Sequence, residues 1–195
     1  MVWAYRTAGI PDNLFERSEE VPITKEEIRA LVISKLRLRE NSWVIDVGCG
    51  SGSITVELCI QLPNGQVFGI DSDEAAIDLT KRNLLKFGMK ANLFLGQAQE
   101  ILPTLPQVDA VIIGGSSGDL TRLADLALSR LKTGGRIVFD TILIETLCLI
   151  NGLIKKNSLY EIDITQVIVT KSKVISAGTM MVARNPVTIV SAAKP

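Results

Sequence analysis

The chain has 195 residues, 47% apolar and 22% charged, so it can bury a sizeable core and carries too little charge to stay disordered. Its 21 Lys and Arg balance 21 Asp and Glu, and a net charge of zero argues against binding driven by nucleic-acid electrostatics. With no His, a His-ligated metal site, a Ser-His-Asp triad and a His general base are all excluded.

Residues 1–195 read as a single domain led by an irregular arm over 1–23, where AGIPDNLFERSEEVP shows no periodicity. A helix follows over 24–36. Thr24 and Glu27 form a T-x-x-E capping box, and Ile28, Leu31, Val32 and Lys35 lie on neighbouring turns. From Trp43 onward, strand-like and helix-like segments alternate. Apolar, β-branched runs predict strands over 43–48, 66–71, 92–96, 109–115 and 136–140. Helices are expected over 53–62, 73–87, 120–131 and 143–157, with a short crossover at 99–105 interrupted by Pro103. Strands joined by helical crossovers mean a parallel sheet with helices on both faces. The last two strands, 160–169 and 179–192, have only a loop of about nine residues between them, too short for a crossover, so they pair antiparallel. Arg184-Asn185-Pro186 marks a bulge or bend in the last of them. The expected fold is a Rossmann-like α/β architecture whose seven-stranded, mostly parallel sheet carries an antiparallel terminal strand.

Cys49, Cys59 and Cys148 are scattered, with no CxxC spacing to support a disulfide framework or a zinc site, and no metal is expected. The start of the chain lacks an apolar signal-peptide core. The most apolar stretch, 137–154, is broken by Asp140 and Glu145, so no membrane partner and a cytoplasmic location are expected. From Lys155 onward six basic residues face two acidic ones, an excess that suits an anionic ligand or an ordinary solvated surface.

Asp46-Val-Gly-Cys-Gly-Ser-Gly52 leaves the first strand and opens a helix. Gly48, Gly50 and Gly52 allow a tight turn and close approach of a ligand, and the helix start favours a carboxylate or phosphate. Asp71 closes the second strand, placed to take both hydroxyls of a ribose. A dinucleotide fingerprint starting at Gly48 needs glycine at 53, where this chain has Ser53. G-x-G-x-G after an acidic strand end instead resembles the S-adenosylmethionine (SAM) motif of class I methyltransferases, as does the strand pattern. Cys49 and Ser51 fall within that turn, Cys49 as a small residue. Gln97-Ala98 follows the third strand, where such enzymes hold the adenine. The Gln97 amide lacks the charge of the usual Asp, so the Ala98 backbone is the firmer contact.

The motif of amino-methylating enzymes is missing after the fourth strand, where residues 114–119 read GGSSGD, so a carbon nucleophile in the substrate is expected. AGIPD, VPITKEEIRA, DVGCGSGSITVE, GGSSGDL, TILIET and GTMMVARNPV occur in that order. Together they resemble the decarboxylating cobalt-precorrin-6B C(15)-methyltransferases of cobalamin biosynthesis, over nearly the whole chain. The resemblance implies SAM-dependent methylation of carbon 15 of cobalt-precorrin-6B, loss of CO2 from the ring C acetate and formation of cobalt-precorrin-7. It implies a tetrapyrrole substrate, a freestanding enzyme and a homotetramer. It also assigns Thr24 to the cofactor, beside the competing capping role, together with Gly48 to Gly52, Asp71 and Ala98.

Ligands of such sheets gather beyond the carboxyl ends of the strands. There Gly115 and Ser116 would leave room and N–H donors for a flat substrate, beside Thr141 and Glu145, with Thr179 and Met180 as a polarizable face. Arg184 would pair with a substrate carboxylate or with Glu145. No dedicated catalytic acid or base stands out. The rival readings are another class I methyltransferase, acting on RNA or on protein isoaspartate, and a non-catalytic SAM-binding protein.

Overall fold

The computed structural model describes residues 3–114 and 119–195. Its first long element is helix α1 (Glu26–Leu36), followed by strand β1 (Trp43–Val47), α2 (Ser53–Gln61), β2 (Gln66–Asp71), α3 (Glu74–Phe87) and β3 (Asn92–Leu95). A short helix α4 (Ala98–Ile101) and a 3-10 turn lead to β4 (Val108–Gly114). Then come α5 (Leu120–Arg130), β5 (Leu131–Thr141), α6 (Ile144–Lys156), β6 (Tyr160–Val167), β7 (Thr170–Ile175), β8 (Gly178–Ala183) and β9 (Val187–Ala193).

Seven strands form one sheet in the order β3-β2-β1-β4-β5-β9-β6, with β9 antiparallel to both neighbours and the other neighbouring pairs parallel. The architecture is that of a class I methyltransferase, as expected. Both faces are covered, which is why the strands read as near-continuous apolar runs. Successive residues serve opposite faces. Val44, Ala110, Ile112 and Val138 pack with α1 and α2, whereas Ile45, Val111, Ile113 and Phe139 pack with α5 and α6.

Three expectations differ from the structure. Residues 170–183, taken as a loop and the beginning of the last strand, form a separate antiparallel hairpin of β7 and β8, turning at Ser176-Ala177. Arg184-Asn185-Pro186 does more than bend a strand: it divides the expected 179–192 strand into β8 and β9, since Pro186 has no N–H to give a ladder. The capping box is also absent. Lys25 is the N-cap of α1 and no side chain caps it. Glu27 instead faces the hairpin, pairing with Lys171 at 2.5 Å and with Arg184 at 3.4 Å.

The arm contains only a 3-10 turn at Asp12–Leu14, and one buried side chain draws it against α1 and α2. Arg29, fully buried on α1, donates to Glu57 Oε1 at 2.7 Å, to Asp12 Oδ1 at 3.1 Å and to the carbonyls of Thr24 and Ile10. Glu57 on α2 also accepts from the backbone N–H groups of Gly9 and Ile10, both at 2.9 Å. The Phe15 ring lies 4.8 Å from the guanidinium carbon. The Arg29→Met variant leaves two buried carboxylates without their cation. Urea unfolding is expected to show a loss of about 3–5 kcal/mol, and a loss below about 1 kcal/mol would mean the network contributes little.

Candidate active site

The sheet order reverses between β1 and β4, and the crevice beyond that point is where open α/β sheets take ligands. The turn leaving β1 lies there. Gly48 and Cys49 donate their N–H groups to the Ile70 carbonyl at 2.8 and 3.1 Å, which ties the turn to β2. Gly48 and Gly50 have φ of 75° and 55°, conformations that side-chain-bearing residues rarely adopt. Beneath the turn, the buried Asp46 carboxylate accepts from the Thr55 hydroxyl at 2.6 Å and so anchors the first turn of α2.

Gly52 serves only part of what is expected of it. Its φ of 75° serves the tight turn as expected, but a Cβ there would stand 2.7 to 2.9 Å from Oγ1, Cγ2 and Cα of Thr80, so the approach it permits is that of α3, and it lines neither of the two cavities over the turn. Thr80 in turn donates to the Gly50 carbonyl at 2.9 Å, and Asn83 donates to that of Ser51 at 2.8 Å. Two side chains of α3 thus hold the loop from behind.

Two cavities meet over this turn, and both are lined by Pro22, Gly48, Gly50 and Gly114. The first, of about 430 Å³, extends along β2 and β3 to Asp71, Gln97 and Ala98. Asp71 Oδ2 accepts from Gly50 N–H at 2.9 Å and Oδ1 from Asp73 N–H at 3.0 Å. A carboxylate has about four acceptor positions, so two remain for a pair of hydroxyls. Helix α4 begins at Ala98, and its first N–H groups have no acceptor within the helix.

The second cavity, of about 420 Å³, lies on the other side of the turn among Thr24, Lys25, Cys49, Ser51, Asp140 and Thr141. Thr24, released from capping, lines it. The Thr141 hydroxyl accepts from Leu143 N–H at 3.0 Å, closing the bend before α6. Burial pushes the Cys49 thiol far up, which leaves it a small neutral wall rather than a nucleophile.

The remaining expected substrate residues lie elsewhere. Glu145, Thr179, Met180 and Arg184 line neither cavity. Thr179 and Met180 stand exposed on the β7–β8 hairpin, and Arg184 pairs with Glu27 rather than with Glu145. Gly115 and Ser116 fall outside the described residues.

Two acids that sequence reasoning passed over are central. Burial pushes the Asp46 carboxyl up to about 7, with Asp140 and Asp71 adding to the rise. Burial likewise lifts Asp140, at the end of β5, to about 6. Asp46 is legible as the acidic strand end before the glycine turn, whereas Asp140 sits in a run that reads as an ordinary buried strand with no local spacing to distinguish it. Among the described residues no group of three or more His, Cys, Asp or Glu side chains gathers to hold a metal, and no helix is long and apolar enough to cross a membrane.

The two raised carboxyls keep a proton in the folded state at pH values where the unfolded chain has lost it. Their contribution to stability is therefore full below their ordinary value of 3.8 and is lost as pH rises through about 6 and 7. Replacing Asp140 with Asn removes one of these penalties. The variant is expected to melt above the wild type at about pH 8, with a gap that narrows toward about pH 4; a gap independent of pH would mean that burial does not shift this carboxyl.

Residues 13–194 match the family model described as a precorrin methyltransferase domain. The chain is 47% identical over 199 residues to a Saccharolobus solfataricus protein named probable cobalt-precorrin-6B C(15)-methyltransferase (decarboxylating), with 100% of each covered. Among solved structures it is similar to precorrin-6y C5,15-methyltransferase from Geobacter metallireducens, with a TM-score of 0.90, 33% identity, and 98% of this chain and 100% of that one covered. It is also similar to precorrin 8W decarboxylase from Methanobacterium thermoautotrophicum, with a TM-score of 0.88, 33% identity, and 94% and 99% covered. A crevice at the switch point, a glycine turn opening on two cavities and a match spanning almost every residue lead to one conclusion: the chain belongs to the precorrin methyltransferase family.

Proposed function

We propose that the protein transfers a methyl group from S-adenosylmethionine to carbon 15 of cobalt-precorrin-6B, with loss of CO2 from the ring C acetate, giving cobalt-precorrin-7. The observation that carries this reading is the pair of cavities sharing Gly48, Gly50 and Gly114, beside the full-length similarity to the Saccharolobus solfataricus enzyme. One cavity suits a nucleoside and the other the reacting edge of a second reactant, and they touch where a methyl group would pass.

The residues present fit the cofactor. The free acceptor positions of Asp71 suit the ribose hydroxyls, and the first N–H groups of α4, at Ala98, suit the adenine. Beside Gly48 and Gly50, the start of α2 presents unpaired N–H groups and its positive dipole end to the carboxylate of the methionine portion. When bound, the cofactor supplies an electrophilic methyl on a sulfonium. The chain's own contribution is alignment: the arm residues Val21 and Pro22 wall the first cavity, and Thr24 and Lys25 wall the second. Holding two reactants in line converts an encounter in solution into an effectively unimolecular step. Lys25 also places a cation beside a substrate that carries carboxylates.

We also infer a homo-oligomer. The support is the β7–β8 hairpin, which leaves Val174, Met180 and Met181 80%, 44% and 62% exposed on an arm held by Lys171 and Arg184, more apolar surface than an isolated hairpin ordinarily shows to water.

Asp71→Ala is expected to weaken SAM binding, measured by calorimetry, by about 10- to 150-fold, the cost of about 1.5–3 kcal/mol for losing a charged hydrogen-bond pair. Unchanged affinity would remove Asp71 from the site. Incubation with SAM and cobalt-precorrin-6B should yield, by mass spectrometry, a product that has gained a methyl and lost CO2 together. Methylated RNA or protein without CO2 release would instead place the enzyme with another substrate class.

A further inference from the structure

Asp140 stands at the second cavity, across the sheet from the Gly114 that lines both. Among the described residues Oδ1 is shielded from solvent and has no hydrogen-bond partner, and no Lys or Arg forms an ion pair with it. A Cβ at position 114 would reach to 3.3 Å from Oδ1, so glycine there keeps the space beside the carboxyl clear. A buried carboxyl with an empty acceptor is costly, and a fold built only for stability would pair it or replace it.

The reaction proposed above, on which this inference rests, has a use for such a group. When the bond to CO2 breaks, its electron pair passes into the conjugated ring. Carbon 15 forms its bond to the methyl as the carbon–sulfur bond breaks, and sulfur takes that pair. Sulfonium and carboxylate cancel, leaving neutral sulfide and CO2. For the former acetate to end as a methyl group, its methylene carbon must gain one proton. The ring, having accepted a methyl cation, must release one to restore its conjugation. One proton leaves and one arrives within the same cavity.

We propose that Asp140 is the catalytic acid–base of this site, accepting the proton the ring releases and returning one to the carbon that CO2 has left. Its carboxyl needs no external co-reactant, because it finishes as it began. Among the described residues, the charged groups nearest it are Lys25, which lines the same cavity, and Asp46 beneath the glycine turn. Burial lifts the Asp140 carboxyl to about 6, so both of its states are accessible near neutrality, where a proton carrier works best.

The test compares wild type, Asp140→Asn and Asp140→Glu on SAM and cobalt-precorrin-6B from about pH 5 to 8, with product followed by mass spectrometry and SAM affinity by calorimetry. Asp140→Asn is expected to lower turnover about 10²- to 10⁴-fold, to leave SAM affinity within about twofold, and to abolish the limb of the rate profile near pH 6. Asp140→Glu, which keeps a carboxyl one methylene away, is expected to regain at least about tenfold over Asp140→Asn and to retain a limb. Turnover of Asp140→Asn within about threefold of wild type, or equal rates for the two variants, would overturn the role while leaving the reaction intact. A wild type inert on this substrate would overturn the reaction, and the role with it.

Discussion

The active-site crevice depends on a single buried guanidinium. Arg29 lies one turn into α1, yet it gathers atoms from three places: a carbonyl and a carboxylate of the arm, the carbonyl just before α1, and Glu57 on α2. Arm residues 20–24 then form walls of both cavities. The arm's own secondary structure is one 3-10 turn, so it is held from outside: by this cation, by Glu57 and Asn83, and by the packing of Ile10 and Phe15 against α2 and α3. Burying a charge is ordinarily expensive, and here the expense is offset by satisfying nearly every donor of the fork, with an aromatic face closing over it. A surface wall is thereby given the rigidity of core.

The glycine turn obeys a related logic from the other side. Its hydrogen bonds come from β2 and α3, so the loop is shaped by neighbours rather than by its own residues. Three aspartates surround it in different conditions. Asp71 is engaged by two backbone N–H groups, Asp46 by a hydroxyl, and Asp140 has an oxygen with no partner among the described residues. Parallel strands that end together bring the three close, with Asp71 and Asp140 lining the cavities and Asp46 buried beneath the turn. The differences among the three come from what lies next to each, which suits one chemical type to anchoring a helix and, in the roles proposed for the other two, to holding a sugar and carrying a proton.

Much of this was readable from residue order. The βαβ rhythm, the glycine turn and Asp71 follow from short-range patterns: apolar runs of strand length, glycines at alternate positions, an acid closing the second strand. Features set by long-range contact were not readable. Thr24 and Glu27 have the capping-box spacing, yet Glu27 is drawn away by Lys171 from a hairpin 144 residues on, and helix α1 starts later than the box requires. The hairpin turns at Ser176-Ala177, which lacks the Asn-Gly or Asp-Gly signal that usually marks a two-residue turn. Gly52 looks like a ligand-approach glycine and is a helix-approach glycine, because only the packed structure shows Thr80 behind it. Asp140 looks like the polar end of a strand; its isolation depends on lying across from Gly114.

The placement of β9 has a consequence for how the molecule is made. This strand follows β6 in sequence but lies between β5 and β6, and among the described strands β6 has its ladder with β9 alone. During translation the parallel half can therefore assemble while β6, the hairpin and the exposed edge of β5 wait for a partner still inside the ribosome. Val187, at the start of β9, also lines the second cavity, so the substrate side acquires its last wall only when this strand threads into the gap. A nascent chain already able to form the glycine turn would still be unfinished as a catalyst, and its open β5 edge is the surface that chaperones, or other nascent chains, would meet first.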